Sequence, residues 1–136
     1  MTTTDEARAV AERYAAAWVT NDLNAILDCY AVEFTLQYFG NNPFTGRHVG
    51  RDAAVAVLLE VGQRAPRTLV AVDEILAGPG SAAVVARELI TVDDNPTEIR
   101  RLFRYRVEGD RFAECWLYEE NQALIDRAWA DPTDPV

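Results

Sequence analysis

Residues 97–119 read TEIRRLFRYRVEGDRFAECWLYE. Runs 97–107 and 111–119 alternate in polarity with period two, and Glu108-Gly109-Asp110 parts them. Period two is the pattern of a strand with one covered face, and so short a turn makes the pair an antiparallel hairpin. Upstream, 68–77 and 82–92 have the same texture, separated by Gly78-Pro79-Gly80-Ser81 and followed by Asp93-Asp94-Asn95-Pro96. Four strands in succession, each turned back by a short connection, imply an antiparallel sheet.

The first half of the chain is helical. Thr3 or Thr4 followed by Asp5 and Glu6 is a capped helix start. Ala7, Val10, Ala11, Tyr14, Ala17 and Trp18 then share one face. Asn21-Asp22 ends that helix and caps a short second one with Leu23, Ile26, Leu27 and Tyr30 on its face. Phe34, Leu36 and Tyr38 alternate with Thr35 and Gln37 as a first strand, and residues 40–46 read as a loop. A third helix is expected from Asp52 to Gln63, with Val57, Leu58 and Val61 inward, and a last one from Gln122 to Trp129. The expected fold is α+β, a curved antiparallel sheet wrapped around N-terminal helices, with one internal pocket.

Turn lengths give a trial register. With Asp93 opposite Pro96, Glu88 faces Arg101 and Ala86 faces Phe103. With Val107 opposite Arg111, Phe103 faces Cys115 and Arg101 faces Leu117. With Ala77 opposite Ala82, Ala71 faces Glu88 and Asp73 faces Ala86. The covered face then holds Ala71, Asp73, Ile75, Val84, Glu88, Arg101, Phe103, Tyr105, Cys115, Leu117 and Glu119. The outer face holds Arg87, Leu89, Arg100, Leu102, Arg104, Arg106, Phe112, Glu114, Trp116 and Tyr118. One bulge reverses such an assignment beyond it.

The 136 residues carry a formal charge of −9 and are 49% hydrophobic. That supports a packed core and argues against a nucleic-acid or anionic-membrane surface. No apolar run approaches the roughly 20 residues of a membrane span. The polar, acidic Met1–Glu6 is not expected to begin a signal peptide. Cys29 and Cys115 lack a CxxC partner pattern and read as free buried thiols. A cytoplasmic protein is expected.

Glu12-Arg13-Tyr14 followed by Asn21-Asp22-Leu23 and Ile26, and Tyr105 to Phe112 continuing through Glu114 and Trp116, resemble the SnoaL-like polyketide cyclases and ketosteroid isomerases of the nuclear-transport-factor-like cone superfamily. The resemblance covers nearly the whole chain. It implies one SnoaL-like domain over residues 1–130, cone-shaped and cystatin-like, and a flexible tail over 131–136. Tyr14 resembles the tyrosine with which the isomerases stabilise an enolate. Their general-base aspartate falls at Tyr38, or at Gln37 after a one-residue shift, and their second aspartate falls at Phe103. The cyclases' acid/base aspartate falls at Leu117, and their histidine also at Phe103. The usual carboxylates are absent, which argues against steroid isomerisation.

The candidate catalytic residues are therefore Tyr14, Tyr38, Glu88, Arg101 and His48. The last is the lone histidine, placed in the loop before the third helix, with an ordinary pKa of about 6.5 suited to proton transfer. Trp18, Tyr30, Phe103, Tyr105, Leu117, Glu119 and Asp73 are the candidate ligand contacts. Asp73, Glu88, Arg101 and Glu119 stand out as a polar cluster on an apolar face. It is either a proton-transfer group or a cross-strand ion pair with a structural role. One histidine and no CxxC or HxxxH give no metal site, and no cofactor is expected. The arginines and aromatics at Arg100, Leu102, Arg104, Glu114, Trp116 and Tyr118 suit a homodimer interface. Two functions follow: a cofactor-free enzyme for cyclisation, isomerisation, dehydration or hydrolysis of an apolar, polyketide- or terpenoid-like molecule, or a non-catalytic domain that binds one.

Overall fold

The computed structural model describes residues 1–130. The tail expected over 131–136 lies outside the described residues. The elements run α1 (Thr4–Val19), α2 (Leu23–Asp28), β1 (Tyr30–Tyr38), β2 (Gly46–Val49), α3 (Arg51–Arg64), β3 (Arg67–Gly78), β4 (Ser81–Val92), β5 (Asn95–Glu108), β6 (Arg111–Glu119) and α4 (Gln122–Trp129).

Local chemistry accounts for the helix ends. Thr3 caps α1 in a reciprocal capping box with Glu6, and Asp22 caps α2 by accepting from the Ala25 N–H. Asn121 does the same for α4 at Leu124. α3 has no side-chain cap and follows Gly50, whose φ of 94° lies in the region where a side chain would be strained.

The six strands form one sheet in the order β2-β1-β6-β5-β4-β3. β1 runs parallel to β6, and every other neighbour pair is antiparallel. The helices cover one face of this curved sheet, giving an α+β cone. Ala7, Val10, Ala11 and Tyr14 of α1 are buried against it. The period-two pattern is plain in β4 and β5: Ala82, Val84, Ala86, Glu88 and Ile90 are buried, as are Ile99, Arg101, Phe103, Tyr105 and Val107.

The trial register was displaced by two residues in each of two hairpins. Asp93 and Asp94 are the two central turn residues, both with positive φ (51° and 65°), so Val92 pairs with Asn95. This is the tight two-residue turn whose twist matches a hairpin. Arg101 consequently lies opposite Ala86, and Glu88 opposite Ile99. On the other side Arg101 faces Glu119 rather than Leu117, and Phe103 faces Leu117 rather than Cys115. A two-residue slip preserves parity, so those side chains stay on the expected face.

Bulges reversed three residues. In β6, Ala113 is the extra residue between the pairs Val107–Phe112 and Arg106–Glu114. Phe112 therefore turns inward and stacks on Tyr105 at 3.7 Å between ring centroids. In β3, the register shifts at Val70 and again at Asp73. Val72 takes the covered side opposite Ala86, while Ala71 pairs with Arg87 on the outer side. Asp73 is bonded by Arg87 at 2.8 and 3.0 Å and does not join the buried cluster.

Candidate functional site

A cavity of about 170 Å³ lies between the sheet and the first three helices. α1 contributes Tyr14 and Trp18, and α2 contributes Leu23, Ile26 and Leu27. α3 contributes Val55, Leu58 and Leu59, and Tyr30 comes from the start of β1. The sheet supplies Arg67, Glu88, Arg101 and Phe103. Below it, a void of about 20 Å³ is walled by Tyr38, Tyr105, Leu117 and Cys115 together with Tyr14, Tyr30 and Phe103.

The polar wall is a chain of four charges. Arg101 donates from Nη1 to Glu88 Oε1 at 2.9 Å. Its Nε and Nη2 grip Glu119, with Nη2 to Oε2 at 2.7 Å. Arg67 Nε lies 3.4 Å from Glu88 Oε2. The Arg101, Glu88 and Glu119 side chains are 1%, 2% and 3% exposed, and Arg67 is 20% exposed. The Arg101 guanidinium also stands 5.5 Å from the Phe103 ring and 5.6 Å from Trp129. Desolvation on this scale is costly and is offset only by such complete pairing. Glu88 and Arg101 are diagonal neighbours on adjacent strands, still within reach of long side chains.

The four buried phenols are held neutral. Burial pushes Tyr14 up to about 12, opposed by hydrogen bonds with Tyr105 and Tyr30. Burial likewise holds Tyr30, Tyr38 and Tyr105 above the usual phenol range. These groups are hydrogen-bond donors near neutral pH, not bases. Cys115, also raised by burial, remains a thiol.

The structure divides the expected residues. Tyr14, Trp18, Tyr30, Glu88, Arg101 and Phe103 line the cavity. Tyr38, Tyr105 and Leu117 line only the void beneath. Glu119 stands behind Arg101 and off the cavity wall. His48 is on β2, not in a loop; its Nε2 lies 2.8 Å from the Phe44 carbonyl, and it lines neither the cavity nor the void beneath. Asp73 is on the outer face, bonded to Arg87. Arg67 escaped the sequence reading because the strand was started at residue 68. Its signal was the register itself, since a strand extended back by one residue sets it two positions from Leu69, the partner of Glu88.

On the outer face, Arg104 lies opposite Trp116, not Glu114, and its guanidinium covers the indole at 4.7 Å. Glu114 is buried between Arg47 at 2.6 Å and Arg106 at 3.5 Å. Tyr118 stacks on Phe39 at 5.1 Å. Among the described residues no group of three or more His, Cys, Asp or Glu is placed to hold a metal, and no helix is long and apolar enough to cross a membrane.

The sequence profile described as a SnoaL-like domain matches residues 11–115. No protein of curated function matches. Among solved structures, a cystatin-like-fold protein of unknown function from Xanthomonas campestris superposes with a TM-score of 0.83 at 19% identity, over 96% of this chain and 100% of that one. An NTF2-like protein from Burkholderia xenovorans gives 0.74 at 20% identity, over 95% and 99%. A protein provisionally assigned as a polyketide cyclase, from Sinorhizobium meliloti, gives 0.62 at 16% identity, over 81% and 94%. At these identities the likeness is one of fold.

Proposed function

The chain belongs to the SnoaL-like domain family, and from that premise we propose that it is a cofactor-independent enzyme doing acid–base chemistry on a small, largely apolar molecule. One observation carries the reading: a fully buried carboxylate–guanidinium pair, Glu88 and Arg101, opens onto a largely apolar cavity that Arg67 also borders. An ion pair serving only to join strands has no need of a cavity beside it.

In this reading Glu88 takes or returns the proton, because its Oε2 is held only by the distant Arg67 contact of 3.4 Å. Arg101 fixes the carboxylate and stabilises negative charge developing on a substrate oxygen, an effect strengthened where water is excluded. Glu119 is a positioning residue that holds Arg101. Tyr14 supplies a neutral O–H at the opposite wall. The reaction class is the set open to such a pair: cyclisation, isomerisation, dehydration or hydrolysis.

The test is a panel of cyclic ketones, enones, epoxides, lactones and hydroxyketones followed by proton NMR. Glu88→Gln keeps the shape and removes the base, so turnover should fall by about 10²–10⁴-fold. Undiminished turnover in that variant removes Glu88 from the chemistry. Binding without turnover across the panel supports a second reading, a non-catalytic binding domain, which the residues at the family's usual carboxylate positions favour: Tyr38, Phe103 and Leu117.

Steroid Δ5–Δ4 isomerisation is expected to be absent. Tyr38 at the base position is a buried phenol held protonated by its burial, and cannot take an α-proton near neutral pH. Conversion of a Δ5-3-ketosteroid above the buffer rate, read at the enone absorbance, would contradict this.

A second copy of the chain is the proposed partner, docked on the outer sheet face. Val85, Leu102 and Tyr118 are paired across three strands, and Phe39 stacks on the last of them, making a continuous apolar strip beside Trp116. Leu102→Glu or Trp116→Glu should give a monomer in sedimentation with unchanged circular dichroism. A wild-type monomer at high concentration would remove the interface.

A further inference from the structure

Two carboxylates and two rings hold Arg101. Its Nε, Nη1 and Nη2 donate to Glu119 and Glu88 in the plane of the guanidinium. The Phe103 and Trp129 rings stand at 5.5 and 5.6 Å. Phe103 lines the cavity, whereas Trp129 lines neither the cavity nor the void beneath it. Trp129 is the largest of the fully buried side chains. Its Nε1 is buried and has no acceptor among the described residues. An unpaired buried N–H is costly, and phenylalanine or leucine would fill space without it. What the indole supplies is its face, the best aromatic partner for a cation and worth most where water is excluded.

α4 is tied down so that this ring keeps its place. Near its start Gln122 donates to the Phe39 carbonyl at 3.3 Å, and Asn42 donates to Asp126 at 2.8 Å. Gly40 permits that approach, since a Cβ there would collide with the Gln122 and Asp126 side chains. At its end Arg64 of α3 donates to the carbonyls of Trp129 at 3.0 Å and Ala130 at 3.2 Å. A cation there also suits the negative end of the helix dipole. The indole itself packs on Tyr38 at 5.0 Å and Phe44 at 5.9 Å.

Building on the acid–base reading, we infer that Trp129 is a positioning residue for Arg101. α4 lays the indole against the guanidinium, keeps water from it, and so fixes the group that holds Glu88. The C-terminal helix therefore belongs to the machinery of the site although it lines neither the cavity nor the void beneath.

The test uses the full chain and proton–nitrogen NMR of the Arg101 Nε–H, identified by its loss in Arg101→Lys. Its exchange with solvent is compared with that of the backbone N–H of Val84, buried in β4. Trp129→Leu should speed exchange at Arg101 by at least about tenfold relative to Val84, the loss of a desolvated cation–ring contact. Trp129→Phe should fall between the leucine variant and the wild type. A tryptophan that only fills the core would move both signals together, through global opening, and an unchanged ratio overturns the inference. Should Trp129→Leu not fold, Arg64→Gln decides, because it frees the end of α4 without touching the cluster. The ratio should then rise by at least about threefold, and an unchanged ratio again overturns the inference. With any substrate that the panel yields, Trp129→Leu should lower kcat and leave KM in place. The two readings fail separately: absent turnover defeats the acid–base reading, and an unchanged exchange ratio defeats this one whatever the turnover.

Discussion

Arg101→Met is expected to lower the unfolding free energy by about 3–5 kcal/mol, the cost of breaking a buried ion pair by removing one partner. The substitution leaves two carboxylates, Glu88 and Glu119, without the guanidinium that bridges them, and Arg67 reaches only Glu88. Set beside the usual domain stability of about 5–15 kcal/mol, that is a loss of about a fifth or more. The triple variant Glu88→Leu, Arg101→Met, Glu119→Leu should recover most of it, because apolar residues of similar volume replace a buried ionic set at little cost. It should also abolish any turnover, separating the structural share of the cluster from the chemical one. Urea unfolding curves measure both variants. A loss under about 1 kcal/mol for Arg101→Met alone would mean that water reaches the guanidinium in solution.

Alkaline pH should unfold the protein cooperatively. Burial raises Cys115 above 9.0 and Tyr14, Tyr30, Tyr38 and Tyr105 above 10.0. In the unfolded chain these groups ionise at their ordinary values, while in the folded chain they stay protonated. The unfolded state therefore loses protons first, and stability falls as pH rises. The contribution is intact below about pH 9, declines from there as the thiol and then the phenols of the unfolded chain titrate, and is gone above the folded values. Each group removes about 1.4 kcal/mol per pH unit within its window, so five together exhaust an ordinary domain stability within about two units. Circular dichroism from about pH 7 to 12 should be flat to about pH 9 and then show one transition. It should coincide with the phenolate absorbance of the four buried tyrosines, the fifth, Tyr118, being exposed. Phenolate absorbance worth more than one tyrosine while the circular dichroism stays native would contradict the burial of these side chains.

The same residues explain what could be read from the sequence. Parity along a strand is a local property, so β4 and β5 showed which side chains turn inward, and Glu88 and Arg101 emerged as buried charges. Register is set at turns, and Asp93-Asp94 could be read as the start of a four-residue turn or as the whole of a two-residue one. Bulges depend on how a strand bends over the helices, and nothing around Asp73 or Ala113 in the sequence announces one. Asp73 was therefore placed in the cluster and Phe112 outside the core. β2 is four residues long, too short for a periodic signal, so His48 was assigned to a loop. The division of labour between Glu88 on the cavity wall and Glu119 behind Arg101 is a matter of depth, which no one-dimensional pattern carries.

The parallel pairing of β1 with β6 also bears on how the chain reaches this state. Leu36 finds Cys115 and Tyr38 finds Leu117 across nearly eighty intervening residues. The three hairpin-linked pairings from β3 to β6 are local and form early at small entropic cost, whereas this closure draws in the whole intervening segment. β1 cannot take its place until β6 exists, and the void beneath the cavity has no floor until it does. Closure of β1 onto β6 is therefore the step expected to limit folding speed, and any slowing there leaves Phe34, Leu36 and Tyr38 exposed as a hydrophobic strand open to aggregation.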